Sequence, residues 1–142
     1  MHSHNYRTPE PFKGLNVAIL GAGQSGRDIS QELCSVSSSV HLSHGADFIN
    51  IAPLKECTPI VDVTSQGRLV TRKGEELAVD VLIYATGYHF DFPFLKSSDA
   101  GLTVCPPKRI KGLYRHLLSI EKPTIAFIGL PIKVNDFFLH LL

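Results

Sequence analysis

Apolar residues are arranged in two ways along this chain, and the change from one to the other divides it. Val17-Ala18-Ile19-Leu20 is an unbroken apolar run, the pattern of a parallel strand covered on both faces, and it predicts a strand over about Leu15–Leu20. From Gln24 to about Cys34 the period lengthens. Ile29, Leu33 and Val36 form one stripe, as on a helix laid against a sheet, and Asp28 is placed in its first turn, where a negative charge is favoured. The serine-rich stretch Ser35-Val36-Ser37-Ser38-Ser39 ends that helix, and Val40-His41-Leu42-Ser43 reads as a second strand. Together these make a β-α-β unit of about thirty residues with a right-handed crossover.

Beyond it the pattern alternates. Ile60-Val61-Asp62-Val63 and Arg68-Leu69-Val70-Thr71 flank the turn Ser65-Gln66-Gly67, and a further turn follows at Arg72-Lys73-Gly74-Glu75-Glu76. These are hairpin signals. Val79–Ala85 is again a buried strand, stopped by Thr86-Gly87. After Tyr88 the pattern weakens. Phe90, Phe92 and Phe94 surround Pro93 and read as a packed connector, and Pro106-Pro107-Lys108-Arg109 reads as loop. Leu113–Ile120 reads as either a strand or a short helix, and Thr124–Gly129 as a strand ended by Pro131. The stretch before Lys13 is polar, with Pro9 and Pro11, and is expected to be an extended lead-in.

A chain of 142 residues is long enough for one ordinary domain, and at that length it buries roughly two-thirds of its unfolded surface. Its net charge of +1, with acids and bases interspersed, offers no electrostatic case for nucleic acid. Cys34, Cys57 and Cys105 are odd in number and widely spaced, which points to neither a disulfide framework nor zinc and favours a reducing compartment. His2/His4 and His41/His44 have no companion ligands at metal spacing, so no metal site is expected.

Gly21, Gly23 and Gly26 satisfy G-x-G-x-x-G directly after a strand and at the start of a helix. The first glycine permits the tight turn, the second lets a pyrophosphate reach the main chain, and the third lets helix and strand pack closely. The free N–H groups of the helix N-terminus then hold the phosphates. Gln24 and Ser25 stand inside this turn; Arg27 follows it and either reaches phosphate or faces solvent. At the end of the second strand, where an NAD or FAD site carries Asp or Glu, stand Ser43, His44 and Gly45, with Asp47 three residues further on. Ser43 can donate a hydrogen bond and His44 can donate or carry charge, so the expectation is NADP rather than NAD.

Several segments together resemble the flavin-containing monooxygenases. The turn Gly21-Ala22-Gly23-Gln24-Ser25-Gly26 resembles that family's NADP-binding motif. Residues 2–14 resemble the segment leading into it, Tyr84-Ala85-Thr86-Gly87-Tyr88 its Ala-Thr-Gly-Tyr motif, and Leu113–His116 with Lys122–Gly129 the return to the flavin domain. His2 and Tyr6 match the last fixed positions of the fingerprint F-x-G-x-x-x-H-x-x-x-[YF]. The resemblance implies a fragment that begins inside that fingerprint. It lacks the family's earlier, FAD-binding glycine turn and its active-site asparagine, and its ending from Lys133 does not look like the family's continuation.

By the same resemblance, the fold is α/β. A Rossmann-like NADP-binding β-α-β unit carries an inserted antiparallel hairpin or meander, and a partial return to the flavin domain follows. The expected divisions are a lead-in over 1–13, the NADP-binding domain over 14–87, and a connector with a flavin-domain segment over 88–142. The resemblance also implies an NADPH- and FAD-dependent monooxygenase of the N,N-dimethylaniline type. It would use O2 to oxygenate the nitrogen or sulfur of a small soft nucleophile, with Ala85, Thr86 and Gly87 lying between the two dinucleotides. Relatives in the family are either soluble or anchored in the endoplasmic reticulum, so cytoplasm and endoplasmic reticulum both stay open. No residue here is assigned a catalytic role, the remainder of the flavin domain is an expected partner, and the chain alone is expected not to turn over. The alternative is a non-catalytic NAD(P)-binding or interaction module.

Overall fold

The computed structural model describes residues 1–48, 52–96, 98–105 and 109–130, and the chain divides into two compact units, Met1–Gly87 and Tyr88–Leu142. The first is built on four parallel strands: β1 (Asn16–Leu20), β2 (Ser39–Ser43), β3 (Lys55–Cys57) and β7 (Val81–Tyr84), in the order β3-β2-β1-β7. One helix, α1 (Gln24–Leu33), joins β1 to β2. Between β3 and β7 lies an antiparallel meander of β4 (Ile60–Val63), β5 (Leu69–Thr71) and β6 (Glu76–Leu77).

Register explains why the sheet buries what it does. Val17 stands level with Val40 and Val81, and Ile19 with Leu42 and Ile83, so one face is a block of apolar side chains. The stripe of α1, Ile29 and Leu33, joins that block, together with Phe12 and Ala85. Fully burying side chains of this size stabilises by about 1.5–3 kcal/mol each. The other face carries Ala18, His41 and Lys55 in one row. Glu75, from the turn before β6, interacts electrostatically with His41 and Cys57, which brings the meander toward this face.

The start of the sheet is clamped by polar groups. Asn16 N–H donates to Asp80 Oδ2 (2.7 Å), Asp80 N–H to the Asn16 carbonyl (2.8 Å), and Ser39 Oγ to Asn16 Oδ1 (2.8 Å). The serine run has the same kind of task. Ser35 Oγ donates to the Glu32 carbonyl, Ser37 Oγ to Phe12 and Ser38 Oγ to Gly14, so carbonyls at the helix end and in the lead-in are satisfied.

Several expectations are corrected. The lead-in is not plainly extended: it makes 3-10 turns at Ser3–Asn5 and Glu10–Phe12, and Phe12 enters the core. Tyr6 packs on Phe12 with ring centroids 5.7 Å apart and donates its hydroxyl to Glu32; burial, with Glu32 beside it, pushes its pKa up. Asp28 is not in the first turn of α1, which holds no acid; it stands one turn in and accepts from Gln24. β3 has no forecast, because Lys55-Glu56-Cys57 is short and two of its three residues are charged.

The second unit, among its described residues, consists of two hairpins. β8 (Thr103–Cys105) pairs with β9 (Arg109–Lys111), and β10 (Leu113–Tyr114) with β11 (Leu118–Ser119). Arg109 therefore opens a strand rather than a loop, whereas Pro106, Pro107 and Lys108 lie outside the described residues. Leu113–Ile120 resolves as a hairpin whose tip, Arg115 and His116, has positive φ at both residues, the turn that suits the twist of paired strands. The strand expected over Thr124–Gly129 reduces to one isolated bridge, Leu118 with Ala126. Pro131 and everything after it lie outside the described residues. Ala100, Leu102, Ile110 and Phe127 form this unit's core.

Candidate functional site

The carboxyl ends of β1, β2 and β7 are tied together, and the glycine turn grows out of that tie. Gly21 N–H donates to the Ser43 carbonyl (2.9 Å), and Ala85 N–H to the Leu20 carbonyl (2.9 Å). Gly21 has φ +109°, and a Cβ there would stand 2.5 Å from Ala85 O and 3.5 Å from Thr86 Cα. A Cβ at Gly26 would collide with the Gly21 carbonyl and stand 3.4 Å from Ala85 Cβ. The first and third glycines are therefore required by protein atoms: the chain crosses itself too closely for a side chain.

Gly23 differs. A Cβ built there meets nothing within 4 Å, and its φ of −71° is available to any residue. It is the N-cap of α1, and no side chain caps the helix. The first-turn amides are thus left for water or a ligand, at the positive end of the helix dipole. The missing side chain at Gly23 is not explained by packing, and it leaves the main chain there open to approach from outside.

The flanking candidates are placed as follows. Ser25 is exposed, and Gln24 donates to Asp28 (3.2 Å). Arg27 is exposed and turns back over the loop, its Nε donating to the Ala22 carbonyl (3.0 Å). Ala85 is buried against the turn, whereas Thr86 and Gly87 are exposed, Gly87 with φ +87°. Gly21, Gly26, Ala85 and Thr86, far apart in sequence, are thereby brought together.

At the end of β2 the side chains are engaged. Ser43 is buried; its Oγ accepts from Ile60 N–H (2.9 Å) and donates to the Thr58 carbonyl (3.3 Å). His44 is buried too, its Nε2 lying 3.0 Å from Glu56 Oε1, with side-chain exposures of 5% and 3%. Phe48 meets the ring edge-on at 5.3 Å. Glu56 has no forecast: no motif marks a lone glutamate twelve residues beyond His44, and only the parallel pairing of β2 with β3, Leu42 level with Glu56, delivers it. Burial, with Glu75 nearby, pushes the Cys57 thiol beside it up to about 11.

The fit to a dinucleotide can be judged from these observations. The open Gly23 at an uncapped helix end suits a diphosphate, and the end of β2 offers a polar pair in the neighbourhood where a ribose is read. For FAD the fit fails: the sequence contains one G-x-G-x-x-G, and it is the turn just described.

Comparison with known proteins bears on the same residues. The model of the flavin-binding monooxygenase-like family matches residues 1–50 and 48–138. A flavin-containing monooxygenase of Arabidopsis thaliana, FMO GS-OX-like 1, is 36% identical over 149 residues, covering 98% of this chain and 30% of its own length. FMO GS-OX3 of the same plant is 34% identical, over 92% of this chain and 30% of its own. Among solved structures, S-allyl-L-cysteine S-oxygenase from Allium sativum superposes with a TM-score of 0.78 at 32% identity, covering 99% of this chain and 33% of that one. Tmm from Pelagibacter sp. strain HTCC7211 gives 0.81 at 26% identity, covering 99% and 32%. The chain thus spans about a third of the length of these relatives. Its mixed α/β fold on a parallel sheet is close to theirs. With the family's model matched along nearly its whole length, the chain belongs to the flavin-containing monooxygenase family.

Proposed function

We propose that this chain supplies the NADP-binding part of an NADPH- and FAD-dependent monooxygenase that oxygenates the nitrogen or sulfur of small soft nucleophiles. The observation that carries the reading is the contrast within the glycine turn. Gly21 and Gly26 are demanded by neighbouring protein atoms, whereas Gly23 is open, at an uncapped helix end.

The main chain of residues 23–26 would hold the diphosphate, and residues at the ends of β2 and β7 would flank it. The nicotinamide coenzyme supplies hydride when bound. What these residues do is bind and orient: amide dipoles meet negative charge, and the packed Ala85 fixes the turn against which the coenzyme lies. An S-oxygenase among the similar structures supports a sulfur substrate, and the family supports O2 as co-substrate. FAD finds no second G-x-G-x-x-G turn in this chain. The N,N-dimethylaniline type of activity belongs to this proposal as one substrate class.

Titration of the chain with NADP and with NAD tests the reading. Binding of NADP in the micromolar range, lost in Gly23→Val while the circular dichroism is unchanged, supports it; no binding of either dinucleotide overturns it. NADPH oxidation with added FAD and a thioether separates this reading from a self-sufficient enzyme: no sulfoxide is expected from this chain alone. The single glycine turn also supports a second reading, a coenzyme-binding module with no redox role, which differs in showing no oxygenation when a flavin-binding partner domain is supplied.

A further inference from the structure

The second unit leaves one face of a small sheet without a covering layer. β11 pairs with β10 on one side, and on the other it takes a third segment. Ser119 N–H donates to the Ile125 carbonyl (3.1 Å) and Phe127 N–H to the Leu117 carbonyl (2.8 Å), about the antiparallel bridge of Leu118 with Ala126. Side chains of such a sheet alternate between its two faces. Leu113, Ser119, Ile125 and Phe127 turn inward: Ser119 and Phe127 are buried, and Leu113 and Ile125 pack on the core. Tyr114, Leu118 and Ala126 form the opposite row, one from each segment and level with one another. Ile120 and Ile128 stand two positions further along their segments. The segments are antiparallel, so these two lie at opposite ends of the face.

A sheet with one solvated face alternates apolar with polar side chains. This one is apolar on both faces. On the outer one, Tyr114 is 58% exposed, Leu118 37% and Ile120 64%, and Ala126 and Ile128 are exposed too. An apolar sheet face is stable when a second layer covers it, and among the described residues no layer does. A contiguous exposed apolar patch of this kind marks a contact surface.

We propose that this face is the contact surface for a second copy of this chain, the two faces packing sheet on sheet about a two-fold axis along the Tyr114–Leu118–Ala126 row. It does not depend on the dinucleotide reading.

The arrangement of large and small side chains favours a second copy. Rotation about that row reverses strand direction and keeps each segment over its own equivalent. Ile120 of one copy then comes beside the partner's Ile128, at both ends of the face. Ala126, small and at the middle level, leaves room between them.

Charge favours the same rotation. The hairpin tip carries Arg115, its guanidinium 5.8 Å from the Tyr114 ring centroid, and His116 follows it. The turn at the other end carries Glu121 and Lys122, both exposed. The rotation moves the two cationic tips to opposite ends and sets Arg115 of one copy toward the partner's Glu121. Lys122 has the opposing sign, so the gain from this pair is small.

The extent of the face sets the strength. Three segments about 4.8 Å apart, at about 3.3 Å per residue, make a small platform. A standard interface buries about 800 Å² per partner, so this contact is at the weak end. The dissociation constant expected is about 10–100 µM.

The experiment is sedimentation equilibrium of the full chain from about 1 to 300 µM, a range that brackets that constant. A reversible monomer–dimer equilibrium is expected. Ile128→Asp, at a side chain almost wholly in solvent, should weaken it at least about tenfold with circular dichroism unchanged. Val61→Asp, in the first unit and as exposed as Tyr114, should leave it as it is. Arg115→Glu should weaken it about two- to fivefold, and adding Glu121→Arg should restore it.

A monomer throughout that range, or association equal in Ile128→Asp and the native chain, overturns the proposal. So does a monomer that sediments with phosphatidylserine vesicles, which gives the face to a bilayer. Association lost in Ile128→Asp but not restored by the double charge reversal, with circular dichroism unchanged, overturns the two-fold arrangement.

Discussion

The two units of this chain hold themselves together by different means. In residues 1–87 the packing is long-range: four parallel strands align branched apolar side chains in rows, one helix covers them, and Val17, Ala18, Ile19, Leu33 and Ile83 are fully buried. In the described part of residues 88–142 the pairing is local, in two-stranded hairpins, and the core is four residues with partly buried aromatics around them. Large apolar side chains stay at the surface there: Phe94, Tyr114, Ile120 and Ile128, the last 91% exposed. A two-stranded hairpin is marginal by itself, whereas a strand with neighbours on both sides and a helix over it is not. The proposed coenzyme site would need a rigid frame, and the glycine turn is attached to the unit that supplies one.

The sharpest way to break this comparison is to fill the crossing inside the turn. Gly26→Ala places a methyl against the Gly21 carbonyl, a backbone atom that cannot step aside. The expected loss is about 3 kcal/mol or more, read from urea unfolding followed by far-UV circular dichroism. A wild-type midpoint would show that the turn is looser than the structure has it.

Next come matched truncations in the two cores. Leu33→Ala is expected to cost about 2–5 kcal/mol and Ile110→Ala less, because Leu33 is sealed under the sheet while Ile110 lies in the smaller cluster. Hydrogen exchange should show the same order, with amides of β1 and β2 protected well beyond those of β8 and β9. Equal protection would dissolve the contrast.

A smaller effect on stability, joined to a large one on binding, is expected at Gly23. Gly23→Ala should leave stability within about 1 kcal/mol, since the added methyl meets nothing and the backbone is unstrained. Dinucleotide affinity should still fall at least about tenfold, about 1.4 kcal/mol. This separates the open glycine from its two packed neighbours.

Alkaline pH probes the first unit through Cys57. The folded chain holds that thiol's proton to about 11, against an ordinary value of 9.0. Its contribution is therefore complete below pH 9 and is lost as pH climbs through the folded value. The unfolding midpoint should decline over that window, and Cys57→Ala should remove part of the slope. Least of all, Ile128→Ser on the exposed surface of the second unit should change stability by no more than about 0.5 kcal/mol.

How much was legible in the sequence follows from how local each signal is. β1, α1, β2 and the β4–β5 hairpin follow from apolar period and turn residues, because each pattern repeats within a few residues of itself, whereas β6 begins at Glu76, which reads as the end of a turn. β3 does not, since it exists only through its pairing with β2. The strand expected over Thr124–Gly129 failed for the converse reason: an apolar run shows a wish to be buried, and among the described residues no ladder forms beyond the bridge to Ala126. At the site, the spacing of Gly21, Gly23 and Gly26 was readable, and with it a separate role for each. Which atoms crowd Gly21 and Gly26, the Ala85 carbonyl and the Gly21 carbonyl, emerges only from what lies across the fold.

The order of residues by itself determined the β-α-β unit, the glycine bend and the kinship with flavin-containing monooxygenases, because spacing along a chain is inherited directly by a helix turn or a strand face. Folding alone decided that Ala85 would close on Gly21 and Gly26, that Gly23 would stay open, and that Glu56 would meet His44. Those meetings join residues twelve to sixty-four positions apart. They are set by which strands lie side by side and in what register, and no short stretch of residues carries that information.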